Sequence, residues 1–316
     1  MQPYLGLVTV LSSPVRHGTL LLAATLGIAS LVAGCADAGD SNSSDVRSIA
    51  SIGKEVTVPV SPVSTNLVDG GDEPREVLTP HPPRNRVQAV TLHTENRVIQ
   101  RIDDQPQQDF SRPPVTMAMS AVAAADGIDL TFGTVSSTDP TLSRELKPVT
   151  GSHAGFAVDH SGAVTSLSIS PATDASDTAR EAIEQALYLA VYRAVSLPTG
   201  AIGLGATWTL QQQVAGSIPL EQVTKAKLTD RDGDRLTIAV DVSQTPKSPV
   251  WNLPNGAGTL DIDSYTMHGA GSVTIDLGLP LPVQGDITIG GDQSYRDPHT
   301  KSLLRQTTSS RVQWTS

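Results

Sequence analysis

The sequence predicts a mainly β protein of the α+β class: curved antiparallel sheet carrying one long helix at about 177–196. Three observations predict it. Apolar and polar residues alternate in many short runs, the period of strands with one buried and one wet face. Asp-Gly dipeptides fall between such runs, as in antiparallel hairpins. One segment only, Asp177 to Ser196, is long, free of proline and rich in alanine and leucine.

The first element is a leader. Arg16 and His17 precede an apolar run, Gly18 to Ala33, of signal-core length and short for a membrane span. It closes Leu31-Val32-Ala33-Gly34-Cys35. Small residues let an extended chain enter a narrow peptidase site, and the cysteine thiol then accepts diacylglycerol. Every position fits the bacterial lipobox. Residues 1–34 therefore read as a lipoprotein signal peptide cut between Gly34 and Cys35, with Cys35 acylated. The mature chain is expected on the extracytoplasmic face of the cell membrane, held stably by more than one acyl chain. Cys35 is the only cysteine, which excludes an internal disulfide and thiol catalysis.

Residues 35–84 read as a flexible tether. Ser41-Asn42-Ser43-Ser44 is small and polar, and Pro59, Pro62, Pro74, Pro80, Pro82 and Pro83 interrupt regular structure. Fifty flexible residues reach roughly 40 Å. An edge strand at Glu55–Val60 is the rival reading for that piece.

The β-rich domain is placed at 85–316. Val87, Leu92, Val98 and Ile102 sit among polar residues. Val115, Met117 and Met119 alternate, as do Leu236, Ile238, Val240 and Val242, then Val273, Ile275 and Leu277, then Ile287 and Ile289. In the helix, Thr178 with Glu181 forms a capping box, with Asp177 as rival cap. Ile183, Leu187, Val191 and Ala194 make one apolar face, and Pro198 and Gly200 end it. Twenty helical residues span about 30 Å.

Segments on either side of the helix match. Asp126-Gly127-Ile128-Asp129-Leu130-Thr131-Phe132 aligns with Asp232-Gly233-Asp234-Arg235-Leu236-Thr237-Ile238, and Phe156-Ala157-Val158-Asp159 parallels Val273-Thr274-Ile275-Asp276. Two duplicated β-meanders, 85–172 and 201–316, joined by the helix, fit this pattern. So does one large curved sheet wrapped over the helix, since Asp-Gly is common in hairpins.

Composition restricts function. Aromatic residues are 3%, too few for sugar-binding or base-stacking platforms. The net charge is -10, and loss of 1–34 removes Arg16 but no acid, leaving about -11. Such a surface repels phosphate backbones, so no nucleic-acid partner is expected. No Gly-x-Ser-x-Gly elbow occurs. Ser51-Ile52-Gly53-Lys54 has Ser-x-x-Lys spacing, but in the tether nothing would hold the pair in register. His81, His93, His153, His160, His268 and His299 lack metal-ligand spacing, and His153 and His160 are expected at the surface near a turn. Asp230-Arg231-Asp232-Gly233-Asp234 opens like a calcium loop, but its twelfth position is Asp241, inside a strand pattern. It reads as a solvated hairpin tip. Asp261 and Asp263 share one strand face. Gly203-Leu204-Gly205 follows a helix where a phosphate loop would precede one, and Trp208 reads as a core residue. No catalytic residue, metal or cofactor is assigned, and the chain is not expected to be an enzyme.

Gly203-Leu204-Gly205-Ala206-Thr207-Trp208-Thr209-Leu210, Lys225–Thr229 and the Asp232-Gly233 turn, with the lipobox, resemble a family of actinobacterial lipoproteins whose domain has no assigned activity. The likeness spans roughly 85–316, and its motifs are structural. A weaker, architectural likeness is to mycobacterial glycolipid-carrying lipoproteins and outer-membrane lipoprotein carriers. That likeness implies acyl chains held between a curved sheet and helices.

Two functions follow as expectations. The first is a membrane-anchored envelope lipoprotein with a non-catalytic structural role, or one in binding an envelope protein. The alternative is a lipid or glycolipid carrier with an apolar cavity between sheet and helix. A continuous apolar cavity of several hundred cubic ångströms separates the two. For the anchor, Cys35→Ala is expected to abolish globomycin-sensitive processing and membrane retention. Continued fractionation of the variant with membranes would refute acylation at Cys35.

Overall fold

The computed structural model describes residues 55–316. The expected signal peptide at 1–34, the expected Gly34–Cys35 cleavage site and Ser51-Ile52-Gly53-Lys54 lie outside them. The described chain opens with β1 (Val56–Pro59) and β2 (Val63–Asp69), then β3 (Val87–Ile102), β4 (Gln108–Asp109), β5 (Arg112–Ala123) and β6 (Gly127–Ser137). Helix α1 (Pro140–Glu145) leads to β7 (His153–Val158) and β8 (Val164–Ser170), and α2 (Asp177–Val191) follows. The second part holds β9 (Thr207–Val214), β10 (Leu220–Asp232), β11 (Arg235–Pro246), β12 (Val250–Asn252), β13 (Thr259–Tyr265), β14 (His268–Asp276), β15 (Gln284–Arg296) and β16 (Leu303–Thr315). The fold is predominantly antiparallel β, as the alternation predicts.

All sixteen strands join one sheet, whose main path runs β1-β8-β7-β6-β5-β3-β16-β15-β14-β11-β10-β9-β2. Flat, thirteen strands would span about 58 Å. Yet the two edge strands are consecutive in the chain. Pro59 ends the strand on one edge and Val63 starts the strand on the other, so four residue steps, about 14 Å at most, separate them. The sheet must roll until its edges meet. Val60 donates its N–H to Thr165 O at 3.0 Å, and Gln212 Nε2 donates to Ser61 O at 2.8 Å, which holds the linker to both sides. β1 and β2 do not pair with each other, so the closure is by chain rather than by ladder.

This corrects the tether. Thirty of the fifty residues assigned to it, from Glu55 on, belong to the sheet or lie along it. The prolines are compatible with this because edge strands and linkers tolerate a missing N–H: Pro59 ends β1 and Pro62 sits between the strands.

The concave face is the apolar one. Leu236, Ile238, Val240 and Val242 of β11 are buried in alternation, as are Met117, Met119 and Ala121 of β5. Helix α2 lies in the hollow, against β3, β5 and β16. Ile183 and Leu187 pack there with Leu92, Met117, Leu130 and Phe132 in one core. A second core gathers Trp208, Leu228, Ile238 and Ile289 under the returning chain at Leu197 and Ile202. A small third cluster packs Trp251 on Tyr295, with ring centroids 5.0 Å apart.

The helix differs from expectation at both ends. Its cap is Ser176, whose Oγ accepts from Ala179 N at 3.2 Å, not Asp177 or the Thr178 box. It stops at Val191, five residues before Ser196. Beyond it the backbone finds tertiary partners: Ser196 O accepts the Trp208 indole N–H at 3.0 Å, and Leu197 N donates to Ser161 O at 3.1 Å.

The two aligned segments occupy corresponding places. Asp126-Gly127 turns β5 into β6, and Asp232-Gly233 turns β10 into β11. Each meander then makes one excursion, through α1 before β7 and through β12 and β13 before β14. The meanders adjoin edge to edge through β3 and β16 within one sheet.

Truncation tests the closing strand. A chain begun at residue 85 should lose its urea midpoint relative to one begun at residue 55, followed by tryptophan fluorescence. Equal midpoints would return residues 55–84 to the role of tether. Leu187→Ala should cost about 2–5 kcal/mol, and Ser176→Ala about 1 kcal/mol, in the same titration.

Candidate functional site

The residues singled out by their chemistry are scattered, and most prove structural. Trp208 is buried in the second core. Gly203 packs so closely on Asp72 that an added Cβ would lie 1.8 Å from its carbonyl oxygen, and Gly205 has φ +81°, so this glycine pair shapes a turn. The Asp230–Asp234 run is an exposed hairpin tip, and His153 and His160 are exposed. Asp263 pairs with Arg296 at 2.6 Å, while Asp261 faces solvent. Among the described residues, no group of three or more His, Cys, Asp or Glu is placed to hold a metal ion.

One arrangement was not foreseen. On the convex face His93 Nδ1 lies 2.8 Å from Thr116 Oγ1, and its Nε2 lies 3.1 Å from Glu95 Oε1. The order hydroxyl, imidazole, carboxylate is that of a nucleophile, its base and an orienting acid. The setting differs, however. His93 and Thr116 are direct cross-strand partners on β3 and β5, and the row continues to Arg311, which is 3.7 Å from Glu95 and forks onto Asp286. Strand N–H groups are committed to the ladder, leaving no pair of donors for an oxyanion. Neither cavity described below includes His93 or Thr116 in its lining. The row is a cross-strand polar network of the kind that stabilises sheets.

The hollow itself holds the larger feature. A cavity of about 590 Å3, open to solvent on one side, lies at the C-terminal end of α2, between that helix and the sheet. This is within the roughly 300–1,000 Å3 typical of small-ligand sites. Its apolar wall includes Phe156, Val191, Val273, Leu277, Leu281 and Trp314. Its rim is built from loops that are individually fastened. Gln88 of β3 accepts from Leu281 N at 2.9 Å and donates to Leu281 O at 3.0 Å. His81 N donates to Leu277 O at 2.7 Å. The rim acids Asp159 and Asp276 accept from nearby backbone N–H groups: Asp159 from Ser161 and Ala163, Asp276 from Gly278. A second cavity, of about 230 Å3, flanks the other end of α2 beside Arg112 and Glu181.

Arg193 is the one charged side chain in the wall that is fully enclosed. It is 7% exposed and follows Ile183, Ala186 and Ala190 on the buried face at helical spacing. Its partners are neutral: Nη1 donates to Tyr192 O at 3.1 Å and Gln222 Oε1 at 3.0 Å, and Nη2 to Ser310 Oγ at 3.2 Å. Gln222 is held in turn by Gln244, at 2.8 Å. Burial pushes the guanidinium down to about 10, so it stays charged at neutral pH. Sequence reasoning read the apolar face through Val191 and Ala194 and passed over Arg193. The available signal was an arginine on the core side of an amphipathic helix.

No family model matches the chain, and no curated protein matches it. Among solved structures, two chains of the binding domain of botulinum neurotoxin DC align over 81% of this chain and 93% of their own. One is in complex with rat synaptotagmin II, at 8% identity, and one with SialylT, at 7%. Both have a TM-score of 0.09, too low to carry an argument about fold or function.

The convex network yields a pH prediction. The hydrogen bond from Arg311 holds the Asp286 carboxyl below its ordinary 3.8. A depressed carboxylate contributes stability above its unfolded pKa and loses it as pH falls through the folded one. Asp286→Asn should therefore lower the urea midpoint at neutral pH and flatten its decline at acid pH. An unchanged acid limb would show that the pair contributes nothing there.

Proposed function

We propose that this chain is a binding module of the cell envelope, an acylated lipoprotein tethered through Cys35 that holds a lipidic ligand in the hollow of its sheet. The observation that carries this reading is the 590 Å3 cavity between the sheet and the end of α2, with an apolar wall and a rim of fastened loops. Apolar surface of this extent is costly to hydrate. An acyl chain placed there would cover it and itself leave water. Tethered to a membrane by lipid, such a module would take its ligand from the bilayer and shield it outside.

This reading is preferred to the interaction role because the space between sheet and helix is of the size that takes a small ligand. The test is mass spectrometry of organic extracts from the domain purified from its source cells. A co-purified acyl lipid at near-stoichiometric yield is expected. Ala194 is an exposed residue of the cavity lining, so Ala194→Trp should reduce uptake of a fluorescent fatty acid at least about tenfold with the unfolding midpoint preserved. Extracts free of lipid, together with no uptake by the unaltered domain, would return the chain to the interaction role.

A further inference from the structure

We propose that the proline-rich strap at residues 79–86 is the gate of the cavity, and that His81 is its latch. This rests on the ligand-binding reading above and says how a ligand enters and leaves.

The strap starts after Leu78, which is buried in the second core, and ends at β3, where Gln88 is buried and bonded to Leu281. Between these fixed points the chain crosses the mouth from one half of the sheet to the other. A Cβ added to Gly162, in the turn from β7 to β8, would lie 3.3 Å from Pro80 Cγ. The next residue, His81, reaches the opposite half. Its N–H donates to Leu277 O, just past β14, at 2.7 Å, and its Nε2 lies 3.2 Å from Asp234 Oδ2 in the turn from β10 to β11. Thr79, Pro80, His81, Pro82 and Arg84 all line the cavity, so the segment that bridges the two halves also bounds the space between them.

Sequence and fastening both make this the movable part of the rim. Pro80, Pro82 and Pro83 have no N–H to give to a ladder, and each restricts the residue before it to extended backbone. The strap is therefore stiff and joins no strand, and it closes on a turn in which Pro83 O accepts from Arg86 N at 3.2 Å. All eight of its residues are exposed or half-buried. Among the described residues, His81 makes the only polar contacts that tie the strap to the rest of the domain. The remainder of the wall is held by more. Phe156 and Val273 stand in strand ladders, Val191 in the helix, and Leu281 between two bonds from Gln88. Local opening occurs where the fewest contacts are lost. Displacing the strap breaks the two contacts of His81 and no ladder, and it widens the mouth along the whole segment.

The test uses the full chain carrying Cys35→Ala, which has no other thiol. His81→Cys with Asp234→Cys puts one thiol on the strap and one on the turn that holds it, both at exposed positions. A short bis-methanethiosulfonate joins the pair and reductant parts it, and the same variant capped with methyl methanethiosulfonate is the control. Entry and release of a fluorescent fatty acid are followed by stopped flow. Bridging should slow both at least about tenfold relative to the control, leave the equilibrium affinity unchanged, and reverse with reductant. Asp234→Ala alone should speed both by about two- to fivefold, the range expected for loss of an exposed pair. Bridged rates within about twofold of the control overturn the gate. Slowed entry with unchanged release also overturns it, because a gate retards both directions equally and an obstructing bridge does not. Unchanged rates in Asp234→Ala overturn the latch. Failure of the unaltered chain to take up the fatty acid overturns the ligand-binding reading itself.

Discussion

The structure depends on the ladder between β3 and β16. It pairs twelve consecutive positions, from Thr91 opposite Thr315 to Ile102 opposite Leu304, without a bulge. The partners are more than 200 residues apart in sequence, so forming the ladder closes nearly the whole described chain into a loop. In return it converts two meanders, each with an open edge, into one sheet. Strand twist and the short link from β1 to β2 then force that sheet to roll, and a rolled sheet has an inside. Helix α2 lies against this seam, touching β3, β5 and β16, so the same contact that joins the halves seats the helix.

What the hollow contains follows from where the helix stops. Had α2 run on to Ser196, five more residues would have carried it about 7.5 Å further along the lumen. It ends at Val191 because the chain beyond is drawn to other partners, Ser196 to the indole of Trp208 and Leu197 to Ser161. Packing of Trp208 in the second core thereby contributes to the cavity beside the first. Arg193 stands at the join of the two cores, spanning from the helix end to β10 and β16 through Gln222 and Ser310. The cation is held between opposite walls by neutral groups.

The two polar arrangements in the domain are of different kinds. The row from Thr116 through His93, Glu95 and Arg311 to Asp286 lies on a convex, solvated face, where Arg311 is paired with two carboxylates. It is explained by strand register alone. The Arg193 network is enclosed and carries a net charge.

The sequence by itself determined the elements. Strict alternation at Leu236–Val242 and at Val115–Met119, the Asp-Gly turns and the run of helix formers from Asp177 each record a local period or a local turn, and local structure follows such signals directly. Burial of Trp208 and exposure of His153, His160 and the Asp230–Asp234 tip were legible for the same reason. Only tertiary structure decided the rest. Val63–Asp69 carries no sustained period because it is an edge strand paired on one side, so its place in the sheet depends on β9. The end of α2 was set by distant hydrogen-bond partners, the Trp208 indole N–H and Ser161 O, and not by Pro198. The neutral surroundings of Arg193 come from Gln222 and Ser310, residues 29 and 117 positions away, and a side chain's electrostatic environment is a property of the walls around it that no local pattern records.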